Sequence, residues 1–211
     1  MAPNLLGFRI AHRMMRGDSR RLAAVTGALA RGEQRADAAR LRAIGEFATK
    51  HCAGIHHHHQ AEDDVLWPVI VRSAGAEVDL SDLTDDHKAL DPLLEEITAA
   101  AAELPGSPSA VRRMAASLAT LADLLDEHIE EEERLLFPVI EKYVPEEEWE
   151  RVETEVRKGG QASFDLPRIG QYALPEELAA LRRMAGPVLT VMLALMGPGH
   201  RRRQKLIFGD L

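Results

Sequence analysis

The chain holds a single cysteine, Cys52, in 211 residues. An intramolecular disulfide is therefore excluded, and so is a cysteine-rich zinc or iron–sulfur site built from one chain. Aromatic residues are scarce at 4%, against 45% hydrophobic residues overall, and Ala and Leu supply much of the difference. That balance disfavours strands, which draw on aromatic and β-branched side chains, and favours helices. Long apolar runs are missing as well. The longest, Val188 to Met196, falls short of the roughly 18 residues a spanning helix needs, so no membrane crossing is expected. Met1 to Met15 has no apolar core of signal-peptide length, and with the lone cysteine this leads to the expectation of a cytoplasmic protein. Basic surface is also thin. The net charge is -8, and the main basic cluster is Arg201, Arg202, Arg203 and Lys205, so nucleic acid is not an expected partner.

What is present is helical periodicity. Apolar residues recur at helical spacing from Leu5 to about Leu29, and again from about Glu33 to Val71 through Leu41, Ile44, Phe47, Ile55 and His58. A turn-rich stretch from Gly75 to Leu83 leads to a third helix, with Ser81 or Thr84 as its cap and its end near Pro105. The loop Pro105-Gly106-Ser107-Pro108 precedes a fourth, from Val111 to Tyr143. The expected architecture is all-α: a four-helix up-down bundle over residues 1–144, with a C-terminal helical extension over 145–211. In the extension, helices are expected from Pro145 to Lys158 and from Pro175 to about Gly186, with a loop carrying Phe164, Pro167 and Tyr172 between them. The extension is expected to pack on the bundle or on a second subunit, making a homodimer. A membrane-surface anchor is the weaker reading of its apolar stretch and arginines.

Pro68 and Pro138 both lie inside helical patterns and mark an internal repeat. Aligning them places His58 and His128 ten residues upstream and Glu62 and Glu132 six upstream, and matches Leu66-Trp67-Pro68-Val69-Ile70 with Leu136-Phe137-Pro138-Val139-Ile140. Each half also has one histidine on its preceding helix, His12 and His87. Four residues along a helix is about 400° of rotation and about 6 Å of rise, so each His-x-x-x-Glu pair shares a face. Two hairpins packed together would bring these residues into one core, and two equivalent ligand sets suggest two metals. A carboxylate can bridge two cations whereas an imidazole nitrogen serves one, which assigns Glu62 and Glu132 as bridges and His12, His58, His87 and His128 as terminal ligands. This nitrogen and oxygen set suits iron, zinc or manganese alike.

Simpler readings apply to the neighbouring residues. The run His56 to His59 can be a solvated metal-scavenging tract. His51 lies about 10 Å along the axis from His58, too far to share its ion, and reads as a support or surface residue. In the acidic run Glu130 to Glu133 only Glu132 has ligand spacing, so the other three are expected to face outward. Cys52 reads as a buried thiol.

These motifs, His12, His58-x-x-x-Glu62, His87 and His128-x-x-x-Glu132 with their flanking Leu-Trp-Pro and Leu-Phe-Pro, resemble the hemerythrin-like HHE cation-binding family over about residues 5 to 143. The resemblance implies a four-helix bundle and two iron ions with an oxo or hydroxo bridge. It also implies a small diatomic or peroxide ligand: members carry or sense oxygen, handle iron, or react with peroxide or nitric oxide. The chain departs from the oxygen-carrier pattern by offering Asp91 where carriers have a second histidine, and by placing His59 directly after His58. The resemblance implies His59 as a further ligand, ahead of Asp91. Tyr172, expected in a loop over an open end of the bundle, is a further residue that would hydrogen-bond to or ligate a ferric ion. The expected function is a di-iron oxidoreductase acting on peroxide, oxygen or nitric oxide. The alternative is an oxygen-binding or iron- or oxygen-sensing protein without turnover.

Overall fold

The computed structural model describes residues 2–209, and among these it is all-helical with no strand. Its helices are α1 (Leu6–Ala30), α2 (Ala38–Ala61), α3 (Trp67–Ala74), α4 (Ser81–Glu103), α5 (Pro108–Tyr143), α6 (Glu146–Lys158), α7 (Ala162–Tyr172), α8 (Pro175–Ala185) and α9 (Pro187–Phe208). A five-residue π-helical segment, Glu62–Leu66, joins α2 to α3.

The local signals that start these helices are visible in the side chains. The Asp37 carboxylate accepts from the Arg40 amide at the start of α2, and the Ser107 hydroxyl accepts from Ala110 at the start of α5, with Pro108 in the first turn. The first turn of α6 carries Glu146, Glu147 and Glu148 and its last turn Arg157 and Lys158, both favourable to the helix dipole. Neither Ser81 nor Thr84 caps α4. Leu80 holds that position, the Asp79 carboxylate accepts from the Ser81 amide, and the Thr84 hydroxyl instead accepts from the Trp67 indole.

Helices α1, α2, α4 and α5 pack on one another around a shared interior, α1 against α5, α5 against α4, α4 against α2 and α2 against α1. That interior is divided. One apolar cluster contains Leu22, Ile44, Phe47, Ile55, Leu90, Ile97, Leu118 and Leu125. The other contains Leu5, Leu66, Trp67, Ile70, Leu83, Leu136, Phe137 and Ile140. On α1, α2 and α4 the histidines and glutamates of interest fall between the residues of the two clusters, and on α5 Glu132 does so while His128 adjoins Ile129 of the first, so a polar layer is flanked on both sides by hydrocarbon.

Two findings differ from expectation. The segment from Ala162 to Tyr172 is a helix, not a loop. Pro167 inside it removes one backbone hydrogen bond, and the packing of Phe164 on Phe47, with ring centroids 5.1 Å apart, and of buried Arg168 offsets that loss. Second, the two prolines of the repeat act differently. Pro68 follows the π segment at the start of α3, whereas Pro138 sits inside an uninterrupted α5.

The extension shares the interior of the long helices. Trp149 and Val152 of α6 belong to the second apolar cluster, and Phe164, Ile207 and Phe208 to the first. The Phe208 ring meets Phe47 edge-on at 5.6 Å, and the Arg40 guanidinium donates to the Ile207 carbonyl. Burying a phenylalanine of this kind is worth about 1.5–3 kcal/mol. No described helix is long and apolar enough to cross a membrane.

Candidate metal centre

The polar layer contains two groups of residues whose donor atoms converge to within 4.8 Å. The first is His59, His87 and His128, and the second is His12, His58, Glu62 and Glu132. All seven sequence-identified residues are thereby brought together, one from α1, two from α2, one at the α2–π junction, one from α4 and two from α5. His12 and Glu132 are wholly buried, and Glu62, His59, His87 and His128 are each 3% exposed.

The two groups touch. Glu62 turns Oε1 toward His58 Nε2 (2.9 Å) and Oε2 toward His87 Nε2 (3.5 Å), so its two oxygens address different groups. Glu132 Oε2 lies 3.4 Å from His12 Nε2 and 3.8 Å from His128 Nε2, again one member of each group. His59 stacks on His87 with centroids 4.2 Å apart and meets His128 edge-on. The Nε2 atoms of His87 and His128 approach to 3.2 Å.

The chemistry of this donor set is that of a cation site. Both oxygens of Glu62, both of Glu132, both nitrogens of His59 and the Nε2 atoms of His12 and His58 are buried without a hydrogen-bond partner. Orphaned polar atoms at this density are costly unless a bound group satisfies them. The electrostatics agree. Burial pushes the Glu62 carboxyl up to about 8. Burial, with Glu62 beside it, raises Glu132 well above the usual carboxylate range. Burial lowers His58 to about 3 and His128 to about 4, and depresses His59 and His87. A pocket that suppresses charge on its own carboxyls and keeps its imidazoles neutral becomes favourable once a multivalent cation lets both glutamates ionise.

Sequence reasoning missed the carboxylates that orient the histidines. His12 Nδ1 donates to Glu133 Oε1 at 2.8 Å, His87 Nδ1 to Asp63 Oδ1 at 3.2 Å, and His128 Nδ1 to Asp86 Oδ2 at 3.3 Å. Each bond places the proton on Nδ1 and turns Nε2 into the pocket, the arrangement that fixes a ligating tautomer. Glu133, expected to face outward, is thus a working partner. Glu133 directly follows Glu132, and Asp63 directly follows Glu62, so the signal was present in the repeat.

Other expected residues lie elsewhere. Asp91 pairs with exposed His56 at 3.1 Å and belongs to neither group. Tyr172 closes α7, and its hydroxyl donates to Asp18 at 2.6 Å. Its ring packs so closely on Gly17 that a side chain there would collide with it. Asp18 also accepts from Arg168 (2.7 Å), Arg168 reaches His51 Nδ1 (3.3 Å), and His51 Nε2 meets Ser19 Oγ (2.8 Å). This buried network ties α7 to α1 and α2 and accounts for His51. Cys52 is buried and its thiol is pushed up to about 12, which makes it inert.

A cavity of about 250 Å³ lies beneath α7, and His58 of the second group is part of its wall, as are Arg157, Asp165 and Arg168. Its wall is largely apolar, with Ile10, Met14, Ile55 and Ile169, and Gly54 leaves one side open. A smaller cavity of about 170 Å³, lined by Asp86, Leu90 and Glu127, touches His128.

Comparison with known proteins follows the same line. Residues 8–140 match the family described as the hemerythrin HHE cation binding domain. A relative named DNA nickase, from Nostoc sp. (strain PCC 7120 / SAG 25.82 / UTEX 2576), is 34% identical over 115 residues, which is 50% of this chain and 30% of that protein. No solved structure matches the chain.

Proposed function

The chain belongs to the hemerythrin HHE cation binding domain family, and from that premise we propose that it is a di-iron oxidoreductase. Its substrate would be hydrogen peroxide, oxygen or nitric oxide, handled at a pair of irons with an oxo or hydroxo bridge. Residues 1–144 form the four-helix up-down bundle on this reading, and 145–211 an extension that roofs it. The observation that carries the proposal is the pair of adjoining donor groups, with unequal histidine content, spanned by the two oxygens of Glu62.

Iron bound there would supply an exchangeable coordination position and one-electron redox change, the two properties such reactions require. The residues of the chain do the rest. His59, His87 and His128 would hold one ion with three nitrogens, and His12 and His58 would hold the other with two, which would leave the second ion the poorer in protein donors. The cavity whose wall includes His58 borders that poorer side, and its largely apolar lining would admit small neutral molecules. Glu133, Asp63 and Asp86 keep the imidazole protons on Nδ1 throughout. Phe8, with its ring 4.5 Å from His12 and 5.5 Å from His58, and Phe137 shield the pocket from the α1 side.

Strand cleavage, which the name of the Nostoc relative denotes, would need a surface that attracts phosphodiesters next to the metal. Asp63, Asp86 and Glu133 border both groups and repel them. The test is rapid mixing of the iron-loaded chain with peroxide, oxygen and nitric oxide, alongside His128→Ala and Glu62→Ala. Turnover lost in both variants supports the enzyme. Reversible oxygen binding without turnover would replace it with the oxygen-binding or iron- or oxygen-sensing alternative.

A further inference from the structure

The charge of this acidic chain is unevenly placed. From 178 to 209 there are six arginines and lysines and no aspartate or glutamate, although the chain as a whole carries -8. The fold gathers much of that excess around one groove of about 540 Å³ between α7, α8, α9 and the middle of α1. Arg21, Arg182, His200, Arg201, Gln204 and Lys205 line it.

The groove has a built base and open walls. Arg21 is anchored at its base, donating to Gln204 Oε1 at 2.6 Å and lying over the Phe208 ring with Cζ 3.8 Å from the centroid. Arg201 lies along α9 with a guanidinium nitrogen 3.1 Å from where a Gly197 side chain would begin, so that glycine makes room for it. Among the described residues, Arg182 and Arg201 have neither a hydrogen-bond partner nor an ion-pair partner, whereas Arg16 and Arg20 share Asp126 and Arg113 takes Glu96 and Glu103. Two guanidinium groups left without a counter-ion in one concavity, in a chain rich in carboxylates, raise the local potential and focus anions there. Their planar forks match phosphate oxygens in pairs.

We propose that this groove binds a small molecule carrying two or more phosphate groups. Its volume lies in the range of ordinary small-ligand sites. Its extent favours a small molecule over a polymer, because Glu176 and Glu177 at the start of α8, the helix that supplies Leu178 and Arg182 to its wall, would repel a long phosphodiester backbone. The groove is distinct from the histidine–glutamate layer. Pro167 and Gly170 of α7 face it, while Arg168 and Ile169 of the same helix face the cavity whose wall includes His58.

Titration calorimetry of the metal-loaded full chain near physiological salt tests this, with inorganic pyrophosphate and ATP as probes and adenosine and a short DNA duplex as contrasts. One site for pyrophosphate or ATP is expected, with none for adenosine. Arg182→Ala and Arg201→Ala, both at exposed positions, should each weaken it at least about tenfold. Arg202→Ala, exposed on α9 but outside the groove, should leave it unchanged. Three results would each overturn the proposal: no binding of either phosphate probe, equal weakening by all three substitutions, or binding of the duplex in place of the small phosphates.

Discussion

Stripping the metal should change not only how stable the protein is but how its stability depends on pH. In the metal-free fold Glu62 holds its proton up to about pH 8 and Glu132 well beyond the ordinary carboxylate range, while the unfolded chain releases both near pH 4.5. At pH 7 to 8 unfolding therefore releases between one and two protons, fewer as Glu62 begins to ionise near pH 8, and stability falls as pH rises. Each full proton contributes about 1.4 kcal/mol per pH unit. The buried histidines act in the opposite direction, since His58 and His128 are neutral down to about 3 and about 4, whereas the unfolded imidazoles take up protons below about 6.5. Their residual uptake above pH 7 reduces the net slope to about 1–2 kcal/mol lost per pH unit between pH 7 and 8. Below about 6.5 the slope reverses and stability falls with acid. Urea unfolding of chelator-treated protein at half-unit pH intervals measures this directly. With metal bound both glutamates are ionised in the folded state, and the loss between pH 7 and 8 should vanish. A metal-free protein with a flat profile over that interval would refute the electrostatic account of the pocket.

Other outcomes follow from the same geometry. Asp63→Asn, Asp86→Asn and Glu133→Gln should each lower metal affinity about 10- to 100-fold in chelator competition, because each weakens the bond that orients a ligating imidazole. Arg168→Leu removes the buried ion-pair partner of Asp18, leaving that carboxylate only the Tyr172 hydroxyl and a 3.4 Å contact to Arg21, and should cost up to about 3 kcal/mol in urea unfolding, while Asp18→Asn with Arg168→Leu together should cost less. Gly54→Ala should stabilise α2 by up to about 1 kcal/mol, since a Cβ there meets open space. Gly54→Phe, by contrast, should narrow the cavity and slow reaction with peroxide about tenfold or more at unchanged metal content, read by stopped-flow absorbance.

Much of the centre was legible in the sequence because α-helical spacing converts directly into geometry. Four residues between His58 and Glu62, and between His128 and Glu132, put each pair on one face, and the repeat brought the faces together. His59 came from the family resemblance alone. Adjacent residues on a regular helix diverge by about 100°, and spacing by itself disfavours a pair of neighbouring ligands. The orienting carboxylates were harder to read: Glu133 sits in a run of four glutamates that looks like any solvated face, and although the repeat pairs it with Asp63, only the tertiary approach of α1 shows that it meets His12. The α7 helix was concealed by Pro167 and the two preceding glycines, which locally read as a break. Packing of Phe164, Arg168 and Tyr172 against α1 and α2 overrode that local preference. Pro68 and Pro138 were legible as a repeat but not as different backbones, since sequence equivalence does not determine where a helix widens into a π turn.

Anomalous diffraction at the iron edge, from crystals of the iron-loaded chain, tests the central claim most directly. Two peaks are predicted, one enclosed by His59, His87 and His128 and one by His12 and His58, with Glu62 and Glu132 reaching both. A single peak, or peaks held by the exposed His56 and the half-buried His57 with none in the buried layer, would contradict the account.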